Sequence, residues 1–294
     1  MLLSFTGADD STNVSEMFHA TRYINSLGFE TEWGVLFHPE KEGWPRTPGY
    51  RKRMEICSSL PAAAHLCGKF LFDTLKQSGW QYSWYGKRLL AELKNYERIQ
   101  VNINARRREY ETEDVLRIYE ALFDNLDRNQ SIIMQWHEDA VSDIELAVNG
   151  NTSIRIARRR RNIHFLIDGS RGKGKTPEKW NTVSDDVKAG YSHYQTLQDK
   201  PVVMMAGGLS AQNVVEQIAR FTADTGDAPA GVDLESSLRY KPFGERTGDL
   251  FSVNACVSIA ASIKAGETTL AKRTDWLPIY DPYHHQRKTD NHEN

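Results

Sequence analysis

The sequence predicts an α/β fold, a single (β/α)8 TIM barrel, and two observations carry the expectation. The chain reads as eight successive strand-plus-helix periods with no other recurring element. The seventh of these, PVVMMAGGLS over residues 201–210, runs Val202, Val203, Met204 and Met205 as a continuous apolar strand straight into Gly207 and Gly208. An unbroken apolar run suits a parallel strand covered on both faces. At 294 residues the chain is long enough for one such barrel and a substantial core.

The periods follow in order. Residues 2–6 form an apolar strand ending at Gly7, and residues 11–27 carry Val14, Met17, Phe18, Tyr23 and Leu27 at helical spacing, with Gly28 as the stop. A second strand, 33–37, leads through His38 into the proline-punctuated loop EKEGWPRTPG and a helix over 50–59. The third strand is 62–68. Its connection, 69–96, is enlarged and aromatic, and Trp80, Tyr82, Trp84 and Tyr85 are expected to cover the core beneath it, with a pocket or partner surface as the alternative. Strand four spans 99–103 and its amphipathic helix 112–126; strand five spans 131–136, before a short helix at 143–148. The run Arg158 to Arg161 reads as a solvated face, with phosphate contact as the alternative. Strand six, 162–167, ends in Asp168 and opens into the glycine-rich loop GSRGKGK, in which Lys173 and Lys175 could clamp an anion, with a merely solvated role as the alternative. After strand seven, Ser210 is a candidate N-cap for the helix over 214–221. Strand eight, 231–234, ends in Glu235-Ser236-Ser237, and a helix over 250–264 closes the count with Gly266 as its stop. The domain boundary follows: barrel over 1–266, and a polar C-terminal extension over 267–294 whose His284-His285 pair is not read as a metal site.

Composition narrows the function. Charged residues make up 26% of the chain, with a net charge of -2 and a pI near 6.5, so no global field favours nucleic acid or a membrane surface. Cys57, Cys67 and Cys256 are scattered without metal or disulfide spacing. No stretch approaches the roughly eighteen apolar residues of a membrane span. These features predict a cytoplasmic, metal-independent protein without a cofactor, and they are compatible with an oligomer.

In such a barrel the C-terminal strand ends face the mouth where ligands bind. The side chains placed there are Thr6 and Asp9, His38, Cys67, Asn102 or Asn104, His137, Asp168, and Asp233 or Glu235. Asp168 ends an apolar strand, where desolvation would raise its pKa toward that of a general acid; the alternative is a carboxylate that organises the following loop. Gly207 and Gly208 allow backbone N–H groups to approach an anion, or serve only as a tight turn.

Several of these segments resemble phosphoribosylanthranilate isomerase. GVLFHPEKEGWPR over 34–46 resembles the family stretch that ends in a substrate-binding arginine, which puts Arg46 in that role. FLIDGSRGKGKTPEKW resembles the strand that carries the family's general acid, which falls on Asp168. AGGLSAQNV, including Asn213, resembles its phosphate-binding turn, and GVDLESS resembles its GVDVSSG. The resemblance implies a phosphorylated, ribose-containing small-molecule substrate. Its phosphate would sit on Gly207, Gly208, Ser236 and Ser237, with His38 and Cys67 as further substrate contacts. Two departures stand out. The family's general base is a cysteine in a Cys-Gly pair, and here that pair is Thr6-Gly7; the family's Ser-Gly after strand eight is Ser236-Ser237. A threonine hydroxyl is too weakly acidic to be that base unaided, so Asp9, Cys67 and His38 are candidates for it. The leading expectation is an isomerase of Amadori type. A lyase or glycosidic-bond-cleaving enzyme on the same scaffold, and a non-catalytic ligand- or partner-binding barrel, are the alternatives.

Overall fold

A computed structural model describes residues 1–103, 109–127, 129–136, 163–168, 176–180, 202–240 and 249–271. Eight parallel strands close into a barrel in sequence order: β1 (Leu2–Thr6), β2 (Glu30–Phe37), β3 (Ala62–Leu66), β4 (Arg98–Val101), β5 (Ser131–Trp136), β6 (Ile163–Asp168), β7 (Val203–Ala206) and β8 (Gly231–Leu234). The last returns to pair with the first, Leu2 opposite Gly231. Among the described residues the helices are α1 (Val14–Ser26), α2 (Tyr50–Ser59), α3 (Lys69–Leu75), α4 (Trp84–Leu93), α5 (Thr112–Asn125), α6 (Val214–Thr225) and α7 (Val253–Ala271). Beyond β8 a small antiparallel pair, β9 (Arg239–Tyr240) and β10 (Leu250–Phe251), folds across. None of the described helices is long and apolar enough to cross a membrane.

The two-residue period of the strands sorts their side chains into two cores. Leu3 and Phe5, Trp33 and Val35, Ile99 and Val101, and Phe165 and Ile167 face outward and pack under the helices in one large apolar cluster. Trp33 shows the fit. Its ring lies 5.6 Å from Phe5 and 6.2 Å from Phe251, and its indole N–H donates to Thr21 of α1 at 2.9 Å. Facing inward, Leu2, Ile133, Leu166, Met204 and Ala206 form a second, smaller apolar cluster. Much of the remaining lumen is polar: Ser4, Thr6, Glu32, His65, Arg98 and Gln100 are all buried.

Three expectations need correction. Ser210 does not cap α6; residues 211–213 form a turn and Asn213 takes the cap position. The Asn213 amide explains why, because its Oδ1 accepts from the Ser210 N–H at 2.8 Å and its Nδ2 donates to the Gly208 carbonyl at 2.9 Å. Gly266 does not end the last helix, which starts at Val253 and continues to Ala271. Its missing Cβ serves close packing instead: a Cβ there would lie 2.5 Å from a Val215 methyl of α6. Of the aromatic segment, Trp80 covers the core, but Tyr82 and Trp84 are 74% and 75% exposed because the turn and first helical residues carry them outward. Asn104, His137, the helix at 143–148, Arg158 to Arg161, Lys173, Lys175 and the His284-His285 pair lie outside the described residues.

Candidate active site

Strand register brings the C-terminal ends of β6, β7 and β8 level. Asp168 pairs across to Ala206, and Ala206 to Asp233, so two inward-facing aspartates stand at one height with a methyl group between their strands. On the other side of Asp233 lies β1, where the Thr6 hydroxyl donates to Asp233 Oδ1 at 2.8 Å. Thr6 fits there because its neighbour on β2 is Gly34; a Cβ at that position would come within 2.0 Å of Thr6 Oγ1 and 2.8 Å of the His65 ring.

Burial dominates the electrostatics of this lumen. It pushes the Asp233 carboxyl up to about 7; the Thr6 hydroxyl opposes the rise, while the negative charges of Glu235, Glu32 and Asp168 add to it. Glu235 is raised as well, by burial against the counter-pull of Arg46 and Arg239. Deeper in, burial raises Glu32 despite Arg98, whose Nε is 3.4 Å away. His65 and His164 are pushed down to about 3 by burial and by the Arg98 charge, which keeps both rings neutral.

Around the mouth the acidic groups are tied to two arginines. Arg46, in the loop after β2 and with a left-handed φ of 73°, reaches Glu235 at 3.3 Å and Asp249 at 2.7 Å. Arg239 of β9, its side chain almost fully buried, binds Asp9 at 2.8 Å and Asp249 at 3.2 Å, and donates to the Gly7 carbonyl. Asp9 also accepts from the Ser11 hydroxyl at 2.6 Å, the Ser11 amide at 3.1 Å and the Thr12 hydroxyl at 3.3 Å, so both its oxygens are engaged.

The candidates from the sequence therefore separate. Thr6, Asp168 and the β8 turn with Ser236 and Ser237 share one side of the mouth with Gly207 and Gly208, whose φ angles of 103° and 65° are those that glycine alone adopts readily. Arg46 joins that side through Glu235. His38 and Cys67 directly follow β2 and β3, across the barrel from β6 and β7, and are held locally: His38 Nδ1 is 3.1 Å from Glu40, and the Cys67 thiol donates to the Phe37 carbonyl at 3.3 Å. Sequence reasoning missed Arg239 and Asp249. Their only signal was an arginine and an aspartate flanking the last helix period, and nothing in the spacing tied them to Asp9.

The family model for N-(5'phosphoribosyl)anthranilate (PRA) isomerase matches residues 126–241. Over that stretch the chain is similar to phosphoribosylanthranilate isomerase, and the stretch lies within a closed eight-stranded parallel barrel. No curated protein matches the sequence. Similar solved structures include phosphoribosyl anthranilate isomerase from Thermotoga maritima, at 14% identity over 90% of this chain and 100% of that one, with a TM-score of 0.45. A truncated 3-deoxy-D-arabino-heptulosonate 7-phosphate synthase from Thermotoga maritima is 10% identical over 92% of this chain and 87% of its own, with a TM-score of 0.49. The spore coat polysaccharide biosynthesis protein spsE from Bacillus subtilis, 10% identical over 96% and 72%, reaches 0.51 and shares the fold.

Proposed function

We propose that the chain is an isomerase of Amadori type acting on a phosphorylated, ribose-containing small molecule. Asp168 is its general acid and Arg46 contacts an anionic group of the substrate. The phosphate rests on the turns at Gly207-Gly208 and Ser236-Ser237. One observation carries the reading: the matched stretch 126–241 includes Asp168 and both turns, and the barrel gathers them at the ends of three adjacent strands. Backbone N–H groups at glycine turns suit a phosphate, and a carboxylic acid at the mouth suits protonation of a ring oxygen.

In the first step Asp168 gives its proton to the ring oxygen, the C1–O bond breaks, and the anilino nitrogen lone pair forms C1=N. The second step removes a proton from C2. Turnover of phosphoribosylanthranilate tests the reading: wild type should convert it, and Asp168→Asn should lose about 10²–10⁴-fold in kcat. A wild type inert toward that substrate would reject the Amadori form.

A further inference from the structure

The second step needs a base, and the position that holds a cysteine in the resembling family is Thr6. We propose that Asp233 is the general base of this barrel and that Thr6 is its positioning residue. The inference rests on the isomerase reading above. The groups around the mouth leave it this role. Asp9 has both oxygens engaged by Arg239, Ser11 and Thr12. Glu235 faces Arg46. His65 is 1% exposed and too weak a base, while Cys67 and His38 sit on the far strands. Asp233 stands partly accessible at the mouth, level with Asp168 and one strand removed from it. Its Oδ1 holds the Thr6 hydroxyl, and its Oδ2 accepts no hydrogen bond among the described residues.

The proton balance is simple. Once the ring is open, C2–H breaks and its proton goes to Asp233; the C–H electron pair forms C1=C2, and the C1=N⁺ electrons return to nitrogen. The enolamine then passes to the ketone as the C2 hydroxyl loses its proton and C1 gains one. A carboxyl raised to about 7 suits the removal, since a base works best with its pKa near the working pH. The Thr6 bond stabilises the carboxylate and so sets how far the rise goes.

The experiment is the pH profile of kcat/KM for phosphoribosylanthranilate with wild type, Asp168→Asn, Asp233→Asn and Thr6→Val. Wild type should show an ascending limb near pH 7. Asp168→Asn should keep that limb at a lower rate. Asp233→Asn should lose the limb and at least 100-fold in rate, while its thermal unfolding stays cooperative and it still binds inorganic phosphate. Thr6→Val, which removes only the hydrogen bond, should move the limb upward by about one unit. An active wild type whose Asp233→Asn variant stays within tenfold, or whose limb does not move in Thr6→Val, overturns the base assignment. An inert wild type overturns the isomerase reading and the base with it.

Discussion

At Gly34 a single hydrogen atom in place of a methyl group decides whether Thr6 and Asp233 can meet. The site a Cβ would fill is 2.0 Å from Thr6 Oγ1 and 2.9 Å from His65 Nε2, and both side chains are buried. Gly34→Ala should therefore destabilise the fold by about 1–3 kcal/mol through overpacking. It should also turn the Thr6 hydroxyl away from Asp233. Carbon-13 NMR of the aspartate carboxyls would then show the Asp233 titration displaced upward from about 7; an unmoved titration in a folded variant contradicts this account. The sequence made part of this readable. Thr6 and Asp168 each end a strand and Asp233 is the last but one residue of its own, and strand ends are recognisable from apolar runs that stop at a polar residue. That Thr6 bonds Asp233 was not readable, because it follows from barrel closure between the first and last strands.

The loop that carries Arg46 runs into α2, and α2 is joined to α4 by a buried ion pair. Arg53 of α2 meets Glu92 of α4 at 2.6 Å and 3.2 Å, donates to the Pro48 carbonyl at 2.9 Å, and lies 4.7 Å from the centre of the Phe37 ring. Both ion-pair side chains are more than nine-tenths buried. An ion pair this deep is poor evidence for net stability, but removing Glu92 leaves the buried Arg53 charge with the more exposed Glu42, at 3.5 Å, as its remaining carboxylate among the described residues. Glu92→Ala should cost about 3–5 kcal/mol in denaturant unfolding, whereas replacing both residues with apolar ones, Arg53→Met with Glu92→Leu, should recover most of the loss. A single-variant loss below 1 kcal/mol would contradict the assignment. Because Pro48 sits two residues beyond Arg46, the single variant should also raise the KM of the proposed isomerase reaction. The sequence placed a helix over 50–59, but 69–96 read only as one enlarged connection, so α4 was not legible as a separate helix. Their pairing was not legible either, since the enlarged connection between them hides which helix packs on which.

Across the whole molecule the lumen carries opposed titrations, and their balance sets how stability responds to pH. The unfolded chain gives Asp233 an ordinary carboxyl pKa of 3.8, against about 7 in the fold. Between those values the folded state holds the extra proton, so this group's contribution to stability is greatest at low pH and is lost as pH rises toward 7. His65 and His164 act in the other direction. Each is near 6.5 unfolded and about 3 folded, so the unfolded state holds the extra proton in between, and stability is lost as pH falls below 6.5. Each group changes stability by up to about 1.4 kcal/mol per pH unit inside its window. From pH 6 to 4.5 the two histidines, together up to about 2.8 kcal/mol per pH unit, outweigh the opposing contribution of about 1.4 from Asp233, so these three groups are expected to lower stability toward acid with about half the slope of the histidines alone. Differences between variants expose the parts. Relative to wild type, Asp233→Asn should gain stability as pH rises from 4.5 to 7, and His65→Leu, which keeps the lumen filled without a titrating ring, should gain as pH falls from 6.5 to 4.5. Urea denaturation at four pH values reads both slopes. Two slopes of the same sign would mean that one of the groups is not held in the buried, charge-suppressed state that the closed barrel imposes.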